Sequence, residues 1–131
     1  MANIQKTIAL VFGIVFLLIG ILGFVPALTP GGALLGLFMV NGVHSVVHLL
    51  FGVLGIAAAF TGMGRLYNRA SGIIYLLIAI LGFIPGLAPN GMLLGLVMIN
   101  LADNFLHIVI GVVLTLVGFA LQERATIAQR A

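Results

Sequence analysis

Three histidines and one aspartate stand inside long apolar segments, and these are the side chains whose types could do chemistry. One group is Asn41, His44, Ser45 and His48; the other is Asn100, Asp103, Asn104 and His107. Asn41, His44 and His48 are spaced i, i+3, i+7, as are Asn100, Asp103 and His107, so on a helix each trio shares one face. Imidazoles and a carboxylate are ligands for zinc or another divalent ion. The i, i+4 pair His44 and His48 suits such an ion, with His107 as a further ligand and Asp103 as a ligand or as the group that orients one. His48 and His107 could instead give a haem two axial nitrogens, or one of them could hold the magnesium of a chlorophyll. Gly52 and Gly111, one turn beyond, would leave room for the macrocycle. Asp103 and the histidines could also relay a proton or ion. The plainest reading is polar packing, in which Asn41, Ser45, Asn100 and Asn104 hydrogen-bond between helices and Asp103 pairs with His107 or His44.

Polar packing is the favoured reading, because such contacts are frequent in membrane bundles. It makes the protein an accessory or assembly subunit of a larger membrane complex, or a homo-oligomer. A histidine-ligated haem, chlorophyll or metal comes second, and the residues do not identify the ligand. A non-enzymatic protein is expected. Ser45 neighbours His44, but adjacent residues point apart on a helix. The chain has no H-E-x-x-H, no nucleophile–base–acid set and no phosphate loop.

Composition fixes the solvent in which this chemistry would sit. The 131 residues are 63% hydrophobic and 5% charged, against about 25% charged in soluble domains. Such a chain cannot cover a water-facing surface, so its partner is the lipid bilayer. The net charge of +3 comes from five scattered basic residues without a patch, which argues against nucleic acid. There is no cysteine, which excludes disulfides, thiolate metal sites and covalent c-type haem.

A repeat organises the chain. Residues 13–60 lie over residues 72–119 without a gap, with ILGFVP at 21–26 on ILGFIP at 80–85. Roughly half the aligned positions are identical, the mark of a duplication. The first repeat spans about 7–60, the second about 71–121, within a single membrane domain of residues 1–131.

Each repeat reads as two helices. The first helix covers 7–24 and ends at Pro26, Pro30, Gly31 and Gly32. Residues 33–60 exceed a span: either one tilted helix, or an interfacial piece at 33–40 with Asn41 capping a shorter span. A polar cytoplasmic loop at 61–70 carries Arg65 and Arg69. The second copy gives a helix at 71–83, a loop at 84–91 and a long helix at 92–121. The tail at 122–131, with Glu123, Arg124 and Arg130, reads as a helical extension. Gly32-x-x-x-Gly36 and Gly91-x-x-x-Gly95 open the long helices and predict close helix packing. Asn3, Tyr67, Asn68 and Tyr75 read as interfacial anchors or cytoplasmic polar groups.

The fold expected is therefore an all-α integral membrane protein, with four transmembrane helices from two parallel-repeated hairpins. Basic residues lie at both ends and in the central loop, which puts both termini in the cytoplasm. A pseudo-two-fold axis along the membrane normal would then set His48 against His107 and His44 against Asp103.

The string Asn41-x-x-His44-Ser45-x-x-His48-Leu49-x-x-Gly52, followed by Asn100-x-x-Asp103-Asn104-x-x-His107, resembles the pattern of a bacterial membrane family, domain of unknown function 4383. That family is similar in length and in its four spans. It has an N-x-x-H-x-x-x-H-L-x-x-G helix and a D-N-x-x-H helix, and more often an asparagine where this chain has Ser45. The resemblance implies the architecture and a bacterial inner or photosynthetic membrane.

Overall fold

The computed structural model describes residues 3–122. Four helices carry the chain: α1 (Ile4–Leu22), α2 (Gly42–Phe60), α3 (Gly64–Phe83) and α4 (Leu101–Ala120). Each has 19 or 20 residues, about 30 Å at a rise of about 1.5 Å per residue, which matches the hydrocarbon core of a bilayer. All four are long and apolar enough to cross a membrane. Large apolar side chains such as Leu18, Val46, Leu77 and Val109 point outward, as lipid-facing positions must.

Between the helices of each pair lies a small hairpin, β1 (Ala33–Leu34) with β2 (Phe38–Met39), and β3 (Met92–Leu93) with β4 (Val97–Met98). Both are antiparallel, with Ala33 opposite Met39 and Met92 opposite Met98. The hairpins, their turns and the caps of α2 and α4 recur at an interval of 59 residues. They exist because prolines and glycines forbid a helix, while backbone polar groups near lipid still need partners. The hairpins supply those partners internally: Leu35 N donates to Leu28 O at 2.7 Å and Leu94 N to Leu87 O at 2.7 Å.

Here the structure corrects the long helices. Residues 33–40 and 92–99 are hairpin, so the spans begin only at Gly42 and Leu101. Gly32, Gly36, Gly91 and Gly95 therefore open no helix. All four have positive φ, and nothing lies within 4 Å of a Cβ built on Gly36 or Gly95. Their task is a left-handed backbone that other residues adopt at a cost.

Close helix packing uses other glycines. On the α1–α2 seam, a Cβ on Gly13 would lie 2.7 Å from Ile56 N, and one on Gly52 would lie 2.5 Å from Leu17 N. On the α3–α4 seam, Gly72 faces Thr115 N at 2.6 Å and Gly111 faces Leu76 N at 2.8 Å. Without a hydrophobic drive between helices in lipid, such backbone approach is what holds them together.

The polar loop at 61–70 is also corrected, because α3 begins at Gly64. Its first turns carry polar side chains that turn inward. Asn68 is wholly buried, and its Nδ2 donates to Gln5 O at 3.1 Å and Gln5 Oε1 at 2.9 Å. Gln5 Nε2 donates to Val117 O at 2.7 Å and Leu121 O at 2.9 Å. Arg69 Nε donates to Gly118 O at 2.8 Å and its guanidinium lies over the Phe119 ring. The last carbonyls of α4, which a helix cannot satisfy itself, find their donors here. The first helix starts at Ile4 rather than at 7, because Asn3 caps it by accepting from Gln5 N and Lys6 N. Residues 123–131 of the expected tail lie outside the described residues.

At the opposite end the two halves clasp each other. Asn41 accepts from His44 N at 2.9 Å and donates through Nδ2 to Leu96 O of the second hairpin turn at 3.0 Å. Asn100 accepts from Asp103 N at 3.0 Å and donates to Leu37 O of the first turn at 2.8 Å. Each asparagine thus caps its own helix and holds the other half's hairpin. Asn100→Ala is expected to lower the melting temperature in detergent, since a lost cap costs about 0.5–2 kcal/mol. Asn100→Asp keeps the acceptor but not the donor, so it should lose less. Wild-type stability in Asn100→Asp would show that the clasp bond contributes nothing.

Candidate metal centre

The cap at Asn41 fixes where α2 starts, and that start fixes its histidines. His44 and His48, four residues apart, fall on the inward face of the first two turns. α4 places His107 against them two turns from its own cap at Asn100. The three rings meet in the centre of the bundle, where one ligand nitrogen from each lies within 4.8 Å of the other two. Ring centroids are 4.5 Å apart for His44–His48 and 5.9 Å for His44–His107.

Aromatic rings wall the site. Phe16 of α1 stacks on His48 at 5.9 Å, and Tyr75 of α3 lies 5.3 Å from His107. Phe16 and Tyr75 stack on each other at 5.1 Å with 11° between planes. Beside these rings is a cavity of about 180 Å³, reached by all three histidines and Tyr75 and capped by Leu93, Leu94, Leu96 and Val97 of the second hairpin.

The hydrogen bonding of these groups is one-sided. His44 Nδ1–H donates to Met98 O at 2.7 Å, which leaves Nε2 as the nitrogen with a lone pair. A ring held by a carbonyl in this way is the usual arrangement behind a metal ligand. His44 Nε2, His48 Nδ1, His107 Nδ1 and the Tyr75 hydroxyl are buried and have no hydrogen-bond partner. A buried polar group left so costs about 1–3 kcal/mol. All four belong to residues that line one cavity.

The remaining candidates are dispersed. Asp103 is buried but outside the three-histidine cluster; its Oδ2 accepts from Asn100 N at 2.9 Å, closing a capping box. His44 does not pair with it but reaches the carbonyl of Met98. Asn104 Nδ2 donates to Gly82 O of α3 at 3.1 Å. Ser45 lies against Gly23, with its hydroxyl unpartnered. Asn41 and Asn100 serve as caps and clasps.

The space proposed for a macrocycle beside Gly52 and Gly111 is taken by the backbones of α1 and α3. The cavity of about 180 Å³ is also below the range of about 300–1,000 Å³ usual for small-molecule sites. An ion fits where a tetrapyrrole does not. Three imidazoles from two helices provide an N3 donor set suited to zinc, copper, iron or nickel.

Tyr75 and Phe16 were not singled out from the sequence as part of the site. Tyr75 is only 1% exposed, so it is no interfacial anchor; nor are Tyr67 and Asn68, which are buried on the inward face of α3. The repeat held the signal. A shift of 59 residues lays Tyr75 on Phe16, just as it lays His107 on His48, and equivalent positions on two copies can meet.

The family model described as Domain of unknown function (DUF4383) matches residues 6–120. No curated protein and no solved structure matches the chain.

Proposed function

We propose that this chain, which belongs to the DUF4383 family, is a non-enzymatic integral membrane protein that holds one transition-metal ion between its helices. His44, His48 and His107 are the ligands. The single observation behind this is that three imidazole nitrogens converge within 4.8 Å. Nitrogens about 2.0–2.1 Å from a common ion stand about 3.4 Å apart, so the rings would close by roughly 1 Å around it. Asp103 acts one step removed, through the helix cap that sets the position of α4.

The membrane is a bacterial inner membrane or a photosynthetic one, as the family pattern suggests, with both termini cytoplasmic. Lys6, Arg65 and Arg69 lie on the segments that meet at the Gln5–Asn68 end, and basic residues favour the cytoplasmic side. As an accessory subunit, the protein would carry its ion within a larger complex, its outward leucines and valines covered by partner helices as well as lipid.

The test is elemental analysis of protein purified in mild detergent and exposed to equal amounts of zinc, copper, nickel and iron salts. One ion per chain is expected, and none in His107→Ala with its helical circular dichroism intact. Wild-type protein that retains no ion would refute the reading and return the histidines to polar packing or proton relay. Particle mass on the same sample tests the accessory role: a mass well above that of the chain and its detergent supports it.

A further inference from the structure

Resting on the metal reading above, we infer that the ion is monovalent copper. The argument is one of charge in a dry site. The three ligands are imidazoles, which bind as neutral groups and cancel none of the ion's charge. The rest of the cavity wall is apolar. Among the described residues Asp103 is the single acid, and its carboxylate belongs to the cap of α4.

The electrostatic cost of taking an ion from water into a low-dielectric interior grows with the square of its charge. A divalent ion therefore meets about four times the penalty of a monovalent one of similar size. With three neutral ligands a monovalent ion leaves one positive charge among helices in lipid, whereas a divalent ion leaves two. No thiolate or second carboxylate is present to remove it, since the chain has no cysteine and no other described acid. Of the metals that take imidazole nitrogen, copper is the one with a stable monovalent state, and that state accepts two or three ligands without a fourth. Zinc prefers four, and its fourth ligand here would be water or the oxygen of Tyr75.

Tyr75 separates the two cases. A divalent ion would gain from its phenolate as a fourth ligand and a counter-charge. For monovalent copper the hydroxyl keeps its proton, and the ring serves to pack on Phe16 at 5.1 Å.

The experiment is a competition on the full chain in detergent or lipid nanodiscs. Cu(I) is added anaerobically with a reductant against a chromophoric Cu(I) chelator, and Zn(II) is added separately against a chromophoric zinc chelator. Expected is one Cu(I) per chain, held at least about 100-fold more tightly than Zn(II). Tyr75→Phe should leave Cu(I) affinity within about twofold, because the hydroxyl is neither a ligand nor hydrogen-bonded to one. Zn(II) bound as tightly as Cu(I) or more so, or Cu(I) affinity lost in a folded Tyr75→Phe, would overturn the inference while leaving a metal site in place. No binding of either ion would overturn both. The wild-type comparison needs no variant to fold.

Discussion

Gly52→Leu is expected to part α1 from α2 and leave no folded bundle in mild detergent. A Cβ at this position would lie 2.5 Å from Leu17 N and 2.7 Å from Leu17 Cα. These are backbone atoms, which cannot turn aside as a side chain can. One extra methylene in a packed core already costs about 1–3 kcal/mol, and leucine adds a whole branched side chain. Gly52→Ala should fall between, with a clear loss of melting temperature. Gly42→Ala is the control. Gly42 opens the same helix, has nothing within 4 Å of its Cβ and no positive φ. It should be neutral or gain up to about 1 kcal/mol from the lower entropy of its unfolded chain. Size-exclusion profiles and circular dichroism melts read the series. A Gly52→Leu protein that melts like wild type would mean that the two helices do not approach this closely.

The second large effect is expected at Gln5. Gln5→Leu removes the donor to Val117 O and Leu121 O and the acceptor for Asn68 Nδ2. Asn68 keeps its bond to Gln5 O, yet its amide and the α4 carbonyls lose partners in a buried place. At about 1–3 kcal/mol for each orphaned group, the loss should reach several kcal/mol and loosen the end where α1, α3 and α4 meet. Replacing both residues, Gln5→Leu with Asn68→Leu, should recover part of it, since an apolar pair leaves fewer groups unsatisfied than a broken one. Thermal melts of both single variants and the double variant form the cycle. Strictly additive losses would show that Gln5 and Asn68 act independently.

Much of this molecule is written in local patterns. Asn41 and Asn100 stand three residues before His44 and Asp103, the spacing of a cap that accepts from the third backbone N–H of its helix. One of the two sequence readings of residues 33–60 therefore described α2 as it is. Pro26, Pro30 and Pro89 marked the breaks for the same local reason. The hairpins were not legible. Ala33–Leu34 and Phe38–Met39 are apolar dipeptides without alternation, and their turns place Leu35 and Leu94 at positive φ, a conformation that leucine's own preferences oppose. Bonds from Asn100 and Asn41 of the opposite half join the hairpins' own backbone bonds in holding those turns in place.

The sequence by itself determined the apolar solvent and the four helices long enough to span it, because composition and periodicity act through each residue's own chemistry. It could not say which glycines touch a backbone. A G-x-x-x-G string looks alike in a turn and on a seam, and only the placement of Leu17 and Leu76 distinguishes them. Nor could it draw Asp103 away from the histidines and bring Tyr75 to them. Both depend on how far one helix pair is rotated and shifted against the other, which is set by contacts between residues far apart in the chain. The three-histidine cluster is such a product of tertiary packing: the repeat already predicts His48 beside His107, but not His44 beside His107 in place of Asp103.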